Sequence, residues 1–503
     1  MDTPGAFFGP DGLYRQKRFE KMGRVKKLLS NTAIFAAGTF LSKVLVYFLM
    51  PLYTSILSPE ESSVADFIQQ TGNLLMPLFA IGICDGLLRF AMDAGERKRE
   101  IFSTSVMLLT AGSLLCVLSL PLYYTGEWAD GLFGGQGWLV AVFVIAADWQ
   151  MAISYYIRSL GYTKMYALQG IVNTALTILF NILFLVVFDM GVTGFILAIT
   201  AGNAIVAVWL FVQMKLWQDV DFRLISKKGT GELLRYSIPM IPTAVLWTVT
   251  SITDRLIVRT YSGDDINGLF VYAYKIPTLL TLITTVFVEA WQLSAVNDAD
   301  DSDRGNYFTG VFRCYSGIIF MAATCLIAMS KIFARLLLAD SYYGAWRYMP
   351  VLIAATVFSA FSTFVSTSYM VKKKSVVAFV TALTGAAVNV VLSWLLAIIR
   401  RPDGSYFGIY GVIAATLISY IVLFVMRVMT TGRYVDFGIG IGRTAVNTVM
   451  LTVQALIMTF EIRYWFVYQA AIALFLLAFN AKPIIDGLKP IIAGFIGKRK
   501  KTE

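Results

Sequence analysis

The residues in this chain that could do chemistry are charges stranded in apolar sequence. Lys43, Asp66, Asp85, Arg89, Asp148, Asp254, Arg255, Lys275, Glu289 and Arg313 all fall within or near the ends of long hydrophobic runs. A charge at mid-bilayer costs at least about 2.5–3.5 kcal/mol unless it is paired or wet, so each such residue marks a candidate site. Placed at a helical rise of about 1.5 Å per residue, Lys43, Asp66, Asp254, Arg255 and Lys275 fall toward the outer side and Asp148 near the middle, with Asp85, Arg89, Glu289 and Arg313 toward the inner side. A cationic, water-filled cavity would hold a phosphorylated anion through Arg255, Lys275, Lys43 and Arg89, with Asp254 in the same constellation. Arg suits that task through its planar donor fork and Lys as a point charge. The competing reading is that these groups form interhelical ion pairs or snorkel to the interface.

The carboxylates have a second candidate role. The chain contains no histidine, which removes the commonest transition-metal ligand, general base and near-neutral switch together. Ion coupling, to protons or sodium, must then use acids. Asp148 stands in Ala146-Ala147-Asp148-Trp149 with no cation within one turn of its own helix, which suits a proton or sodium site. Asp85 and Glu289 are further candidates, although Asp85 and Arg89 are spaced to pair with each other on one helical face. Cys84, Cys116, Cys314 and Cys325 all sit in apolar sequence, where free cysteine behaves as a small hydrophobe. No disulfide, metal site or cofactor is expected. Asp298-Ala299-Asp300-Asp301 imitates the acidic motif of a glycosyltransferase, but a short solvated loop explains it.

The elements that position these residues are helices in a bilayer. Hydrophobic residues make up 57% of the chain and charged residues 15%, a composition typical of a polytopic membrane protein. At about 20 apolar residues per span, the chain reads as an all-α protein with roughly fourteen transmembrane helices. The first apolar run, from residue 28, is expected to stay as a helix and not to be cleaved as a signal. Two stretches about 205 residues apart also match each other: Leu28-Leu29 with Leu233-Leu234, and Ser58-Pro59-Glu60-Glu61 with Ser262-Gly263-Asp264-Asp265. Further on, Gly191-Val192-Thr193-Gly194 matches Gly408-Ile409-Tyr410-Gly411.

The repeat implies two six-helix bundles plus two extra C-terminal helices. Residues 1–27 form a basic N-terminal arm, with Met22 as an alternative start. Residues 28–216 form the first bundle, 217–231 a linker, 232–430 the second bundle, 431–480 helices thirteen and fourteen, and 481–503 an amphipathic basic tail. Such duplicated units usually flank a midplane site and rock against each other. Counting Lys and Arg by loop places about 32 inside and 8 outside when both termini are cytoplasmic. The net charge of +11 is thus an orientation signal and a contact with anionic membrane lipids, not a nucleic-acid footprint.

Leu28-Leu29-Ser30-Asn31-Thr32, Phe48-Leu49-Met50-Pro51-Leu52-Tyr53-Thr54 and Leu57-Ser58-Pro59-Glu60-Glu61 resemble the opening of the polysaccharide transporter family. These are the Wzx-type oligosaccharide (O-antigen) flippases of the multidrug/oligosaccharidyl-lipid/polysaccharide flippase superfamily. Asp254-Arg255, Tyr274-Lys275 and Glu289-Ala290-Trp291-Gln292 extend the likeness, which covers roughly residues 25 to 430. Ser62-Ser63 departs from the Tyr-Gly expected after Pro-Glu-Glu. The resemblance implies a non-enzymatic carrier in the bacterial cytoplasmic membrane. It would move an undecaprenyl-pyrophosphate-linked oligosaccharide to the outer leaflet by alternating access, with other polysaccharide-assembly proteins as further candidate partners. The rivals are a cation-coupled multidrug exporter of the same fold, a lipid II-type precursor flippase, and a membrane polymerase or glycosyltransferase acting on lipid-linked sugars.

Overall fold

The computed structural model describes residues 47–93, 95–297, 304–371, 374–433 and 438–499. Lys43, the N-terminal arm, most of the first apolar run, the 298–301 acidic motif and the last residues of the tail lie outside the described residues. Within them the chain is helical, and the only β feature is an isolated bridge between Arg400 and Tyr406.

The principal helices of the first half are α1 (Met50–Ile56), α2 (Pro59–Phe79), α3 (Ile83–Asp93), α4 (Lys98–Leu118), α5 (Trp138–Ser159), α6 (Thr163–Asn181) and α7 (Gly191–Gln213). After a linker come α8 (Lys227–Ser237), α9 (Ile241–Ser262), α10 (Asp264–Asn297), α11 (Arg304–Ala328), α12 (Met349–Val371), α13 (Ser375–Ala397) and α14 (Gly408–Thr431). Two more follow, α15 (Ile441–Thr459) and α16 (Trp465–Arg499). The sequence reading ends the fourteenth span at residue 480, but α16 runs unbroken through it to Arg499.

Eleven helices among the described residues are long and apolar enough to cross a membrane, or twelve if the bent pair α2–α3 is one span. The expected fourteen differ for two reasons. The first span lies largely outside the described residues. The seventh is broken by a 3-10 turn at Ile238–Met240, beyond which α9 carries Asp254, Arg255 and Arg259. Helices α2 and α3 meet at 51°. The bend follows Pro77 and is made by Ile81 and Gly82, both at positive φ; there a Cβ on Gly82 would crowd the Ser237 carbonyl.

The start of α2 is specified locally. Ser58 and Glu61 form a reciprocal capping box, with Ser58 N–H donating to Glu61 Oε2 at 2.8 Å and Glu61 N–H to Ser58 Oγ at 3.2 Å. The matching start of α10 lies directly against it. Ser63 Oγ donates to Asp264 Oδ1 at 2.8 Å and Asn267 Nδ2 to Ser63 Oγ at 2.9 Å. Gly268 lets the two backbones meet, since a Cβ there would overlap the Pro59 carbonyl. The other matched motif behaves alike in both halves. Gly191 and Gly408 each open a helix at positive φ, the first beside Glu61 and the second beside Ser262.

Packing follows the same scheme twice. Helix α2 packs on α5 as α10 packs on α12, and α7 lies against α5 and α6 as α14 lies against α12 and α13. The halves join where α2 meets α9 and α10. The second half is sealed by a large aromatic core that includes Phe312, Tyr315, Phe361, Phe364 and Phe424. Helices α15 and α16 are fastened to each other by buried amides: Gln454 Nε2 donates to Gln469 Oε1 at 2.9 Å, and Asn447 and Asn480 exchange bonds of 3.0 and 2.8 Å. Gln454 Nε2 also donates to Thr324 O on α11 at 3.1 Å, which ties them to the second half. In an apolar solvent such polar contacts fix which helices meet.

Candidate functional site

Between the halves lies a cavity of about 590 Å³. One wall comes from α1 and α2, including Tyr53, Asp66 and Gln69, and a second from α6 and α7, including Asn173, Thr174 and Thr177. The third wall is α10, with Tyr272, Lys275, Thr278 and Thr281. Those α10 residues recur at helical spacing, so one face of α10 looks into the space. Apart from Asp66 and Lys275, the polar lining consists of neutral amides and hydroxyls.

Lys275 is held at the wall while Tyr47 OH donates to its backbone carbonyl at 3.1 Å. No carboxylate among the described residues forms an ion pair with its ammonium. Asp66 on the facing wall is engaged, because Arg255 Nε donates to Asp66 Oδ2 in an ion pair buried on both sides. Arg255 Nη1 also donates to its own helix at Ser251 O, 3.0 Å away, and Gln70 Nε2 reaches Asp66 Oδ1 at 3.4 Å. The pair ties α9 in one half to α2 in the other. With one acid and two bases, the charge at this cavity sums to +1.

Arg255 and Lys275 thus come together around Asp66, an intramembrane charge for which the sequence suggests no specific site role. Arg255 stands behind Asp66 and does not line the space. Neighbouring Asp254 turns the other way, where its Oδ1 accepts a bond from Ser393 Oγ on α13 at 2.8 Å. Asn389 Nδ2 there donates weakly to Thr416 and Ser419 on α14, at 3.4 and 3.5 Å, while Asn389 Oδ1 is buried without a bond. Asp254 therefore belongs to a polar cluster inside the second half, away from the cavity. About 100° per residue along a helix is enough to part it from Arg255.

The remaining candidates are dispersed. Asp85 and Arg89 are both exposed on α3. Asp148 is buried in α5 with Oδ1 unbonded, and its backbone carbonyl receives the Cys84 thiol at 3.9 Å. It does not line the cavity. Glu289 lies on α10, far along from Lys275. The amide and hydroxyl wall of α6 escaped the sequence reading, because Asn, Thr and Gln carry no charge to flag them in an apolar run. The one available signal was their spacing: Asn173, Thr174 and Thr177 recur on one face.

The two similarly packed helical halves around a central cavity superpose on carriers of the multidrug/oligosaccharidyl-lipid/polysaccharide superfamily, whose fold this chain shares. The structure superposes on that of the lipid II flippase MurJ in an inward closed conformation with a TM-score of 0.67, at 15% identity over 92% of this chain and 100% of that one. It matches an inward-facing multidrug resistance MATE family transporter at a TM-score of 0.62 and 14% identity, covering 78% of this chain and 95% of that one. A superfamily transporter from Pyrococcus furiosus, described as having a binding pocket of reversed polarity, gives 0.56 at 14% identity, over 80% and 95% of the respective chains. Among curated proteins no sequence match is found. The chain belongs to the family described as polysaccharide biosynthesis protein, whose pattern matches residues 28–291. That is more than half the chain, and it includes the opening motifs and the Asp254-Arg255, Tyr274-Lys275 and Glu289-Ala290-Trp291 segments.

Proposed function

We propose that this protein is a carrier, not an enzyme, and that it flips an undecaprenyl-pyrophosphate-linked oligosaccharide from the inner to the outer leaflet of the bacterial cytoplasmic membrane. The observation that carries the reading is the cavity between the halves. Its net charge is +1, with Lys275 free to meet a diphosphate, and its neutral amides and hydroxyls are suited to sugar hydroxyl groups. Family membership supports the substrate class. A multidrug exporter of cationic compounds is disfavoured, because a cation entering this space would meet an ammonium that no carboxylate among the described residues holds in an ion pair. A lipid II-type precursor carries the same pyrophosphate and is the second reading, favoured by the fold likeness to a lipid II flippase.

In this reading the N- and C-termini are cytoplasmic, and the seam between α2 and α10 is the outer gate in its closed state. Ser63, Asp264, Asn267 and Gly268 close it. Asp148 and Asp254 are buried acids with unfilled oxygen acceptors nearby and are the proposed places for a coupling proton or sodium ion. The test is surface-glycan export in cells that depend on this chain. Lys275→Ala should abolish export at normal membrane levels, and Lys275→Arg should retain part of it. Full export by the alanine variant would remove the diphosphate contact and with it the proposed substrate class.

A further inference from the structure

Among the described residues, Lys275 is not the only cation within the membrane helices that forms no ion pair with an acid. Arg427, near the end of α14, is only 7% exposed. Its Nη1 donates to Ser362 O on α12 at 2.8 Å, and its Nε reaches Thr381 Oγ1 on α13 at 3.4 Å. Nη2 has no acceptor among the described residues. The three helices that enclose it, α12, α13 and α14, contain no Asp or Glu at all.

Two further buried groups, one on a residue whose carbonyl Arg427 holds and one a turn along its own helix, have their capacity unused. Ser362 Oγ and Thr431 Oγ1 are both without a hydrogen bond. Ser362 is the residue whose carbonyl Arg427 already holds, and Thr431 is one turn from Arg427 on the same face of α14. The α14 C-terminus places roughly half a negative charge nearby, which offsets a full buried guanidinium only in part. An unpaired buried charge is a strongly unfavourable arrangement. What the surroundings offer is a guanidinium edge and two unbonded hydroxyls with no anionic acceptor among the described residues.

We propose that Arg427 Nη2, Ser362 Oγ and Thr431 Oγ1 form a binding site for a small dehydrated monovalent anion, chloride in the cell. A single negative charge balances the single guanidinium. A monatomic ion accepts from donors in any direction, which suits one guanidinium edge and two hydroxyls from two helices. A lipid phosphate would bring a tether that must leave between helices packed tightly enough to bury Arg427. The bound ion would pin α12 to α14, and α13 and α14 also carry the groups around Asp254. The site is separate from the central cavity.

The experiment is thermal unfolding of the full chain in detergent with sodium chloride, sodium bromide or sodium gluconate at matched sodium, alongside bromide-soaked crystals measured for anomalous scattering. The wild-type midpoint should rise with the logarithm of halide concentration and stay flat in gluconate. Arg427→Gln should lose the halide response, whereas Lys275→Gln should keep it. A Ser362→Ala/Thr431→Val double variant should need about tenfold more halide for the same shift, as expected from losing hydrogen bonds to an ion. The anomalous peak should lie beside Arg427, and this readout decides the matter if Arg427→Gln does not fold. No halide response in the wild type, a response that survives Arg427→Gln, or bromide only in the central cavity would each overturn the proposal.

Discussion

The Asp66–Arg255 pair separates two things that one residue could do, hold the halves together and set the charge of the cavity. Both side chains are buried, at 6% and 9% exposure. Asp66→Asn leaves Arg255 without its acid; removing one partner of a buried pair costs about 3–5 kcal/mol, and an Arg within the bilayer about 2.5–3.5 kcal/mol on insertion scales. Both routes give a loss near 3 kcal/mol. Replacing both partners, as Asp66→Asn with Arg255→Gln, should recover most of it, because neither charge is then stranded. Unfolding of the purified protein in a denaturing detergent series would measure all four corners of the cycle, with an expected coupling of about 2–3 kcal/mol. Export gives an independent axis. Arg255→Gln lowers the cavity charge from +1 to 0 and should lose export, while the double variant returns it to +1 and should regain a measurable part. If Asp66→Asn lies within about 0.5 kcal/mol of wild type, or the single losses simply add, the pair does not fasten the halves. If Arg255→Gln exports normally, cavity charge is not what selects the substrate.

Three other expectations follow from the same structure. A cysteine at Glu127, in the connection between α4 and α5, should be labelled by an impermeant thiol reagent on intact cells, and one at Lys374 only after lysis; external labelling at Lys374 reverses the orientation and the flipping direction. Gly268→Leu should wedge the α2–α10 seam, because even a Cβ there overlaps the Pro59 carbonyl. It should raise labelling of a cysteine placed at Ser62 beneath the gate, and unchanged labelling would mean that the seam is not the gate. Asp148→Asn and Asp254→Asn should be compared in vesicles with and without an imposed proton or sodium gradient. The coupling acid is the one whose amide variant keeps substrate binding but no longer responds to the gradient, and a normal response in both variants excludes either acid as individually required.

Much of the fold was legible in the chain itself, because in a bilayer every backbone polar group must be satisfied within its own helix. Long apolar runs therefore declare themselves without help from tertiary contacts. The repeat was legible too, since its marks are local: a capping box at Ser58–Glu61, and Gly191 and Gly408, which open helices at positive φ. Family membership followed from motifs spread over the first half and the start of the second. Orientation could be read only as an expectation, from the distribution of Lys and Arg.

The site could be read only in part, because a sequence shows which charges enter the membrane but not what they meet. Arg255 and Lys275 look alike in sequence, yet one is paired with Asp66 across the halves and the other lies open on the cavity wall. Asp254 and Arg255 are adjacent and face different helices, a consequence of helical rotation acting on packing that no single segment encodes. Arg427 lies near a helix end, where sequence does not separate a buried cation from one that snorkels to the interface. The chain's apolar runs and repeated motifs thus determined an all-helical membrane protein with two related halves and a supply of intramembrane charge. Only the packing of those helices decided which charges cancel, which remain, and where the cavity lies, because each outcome depends on distances between side chains about 200 residues apart in sequence.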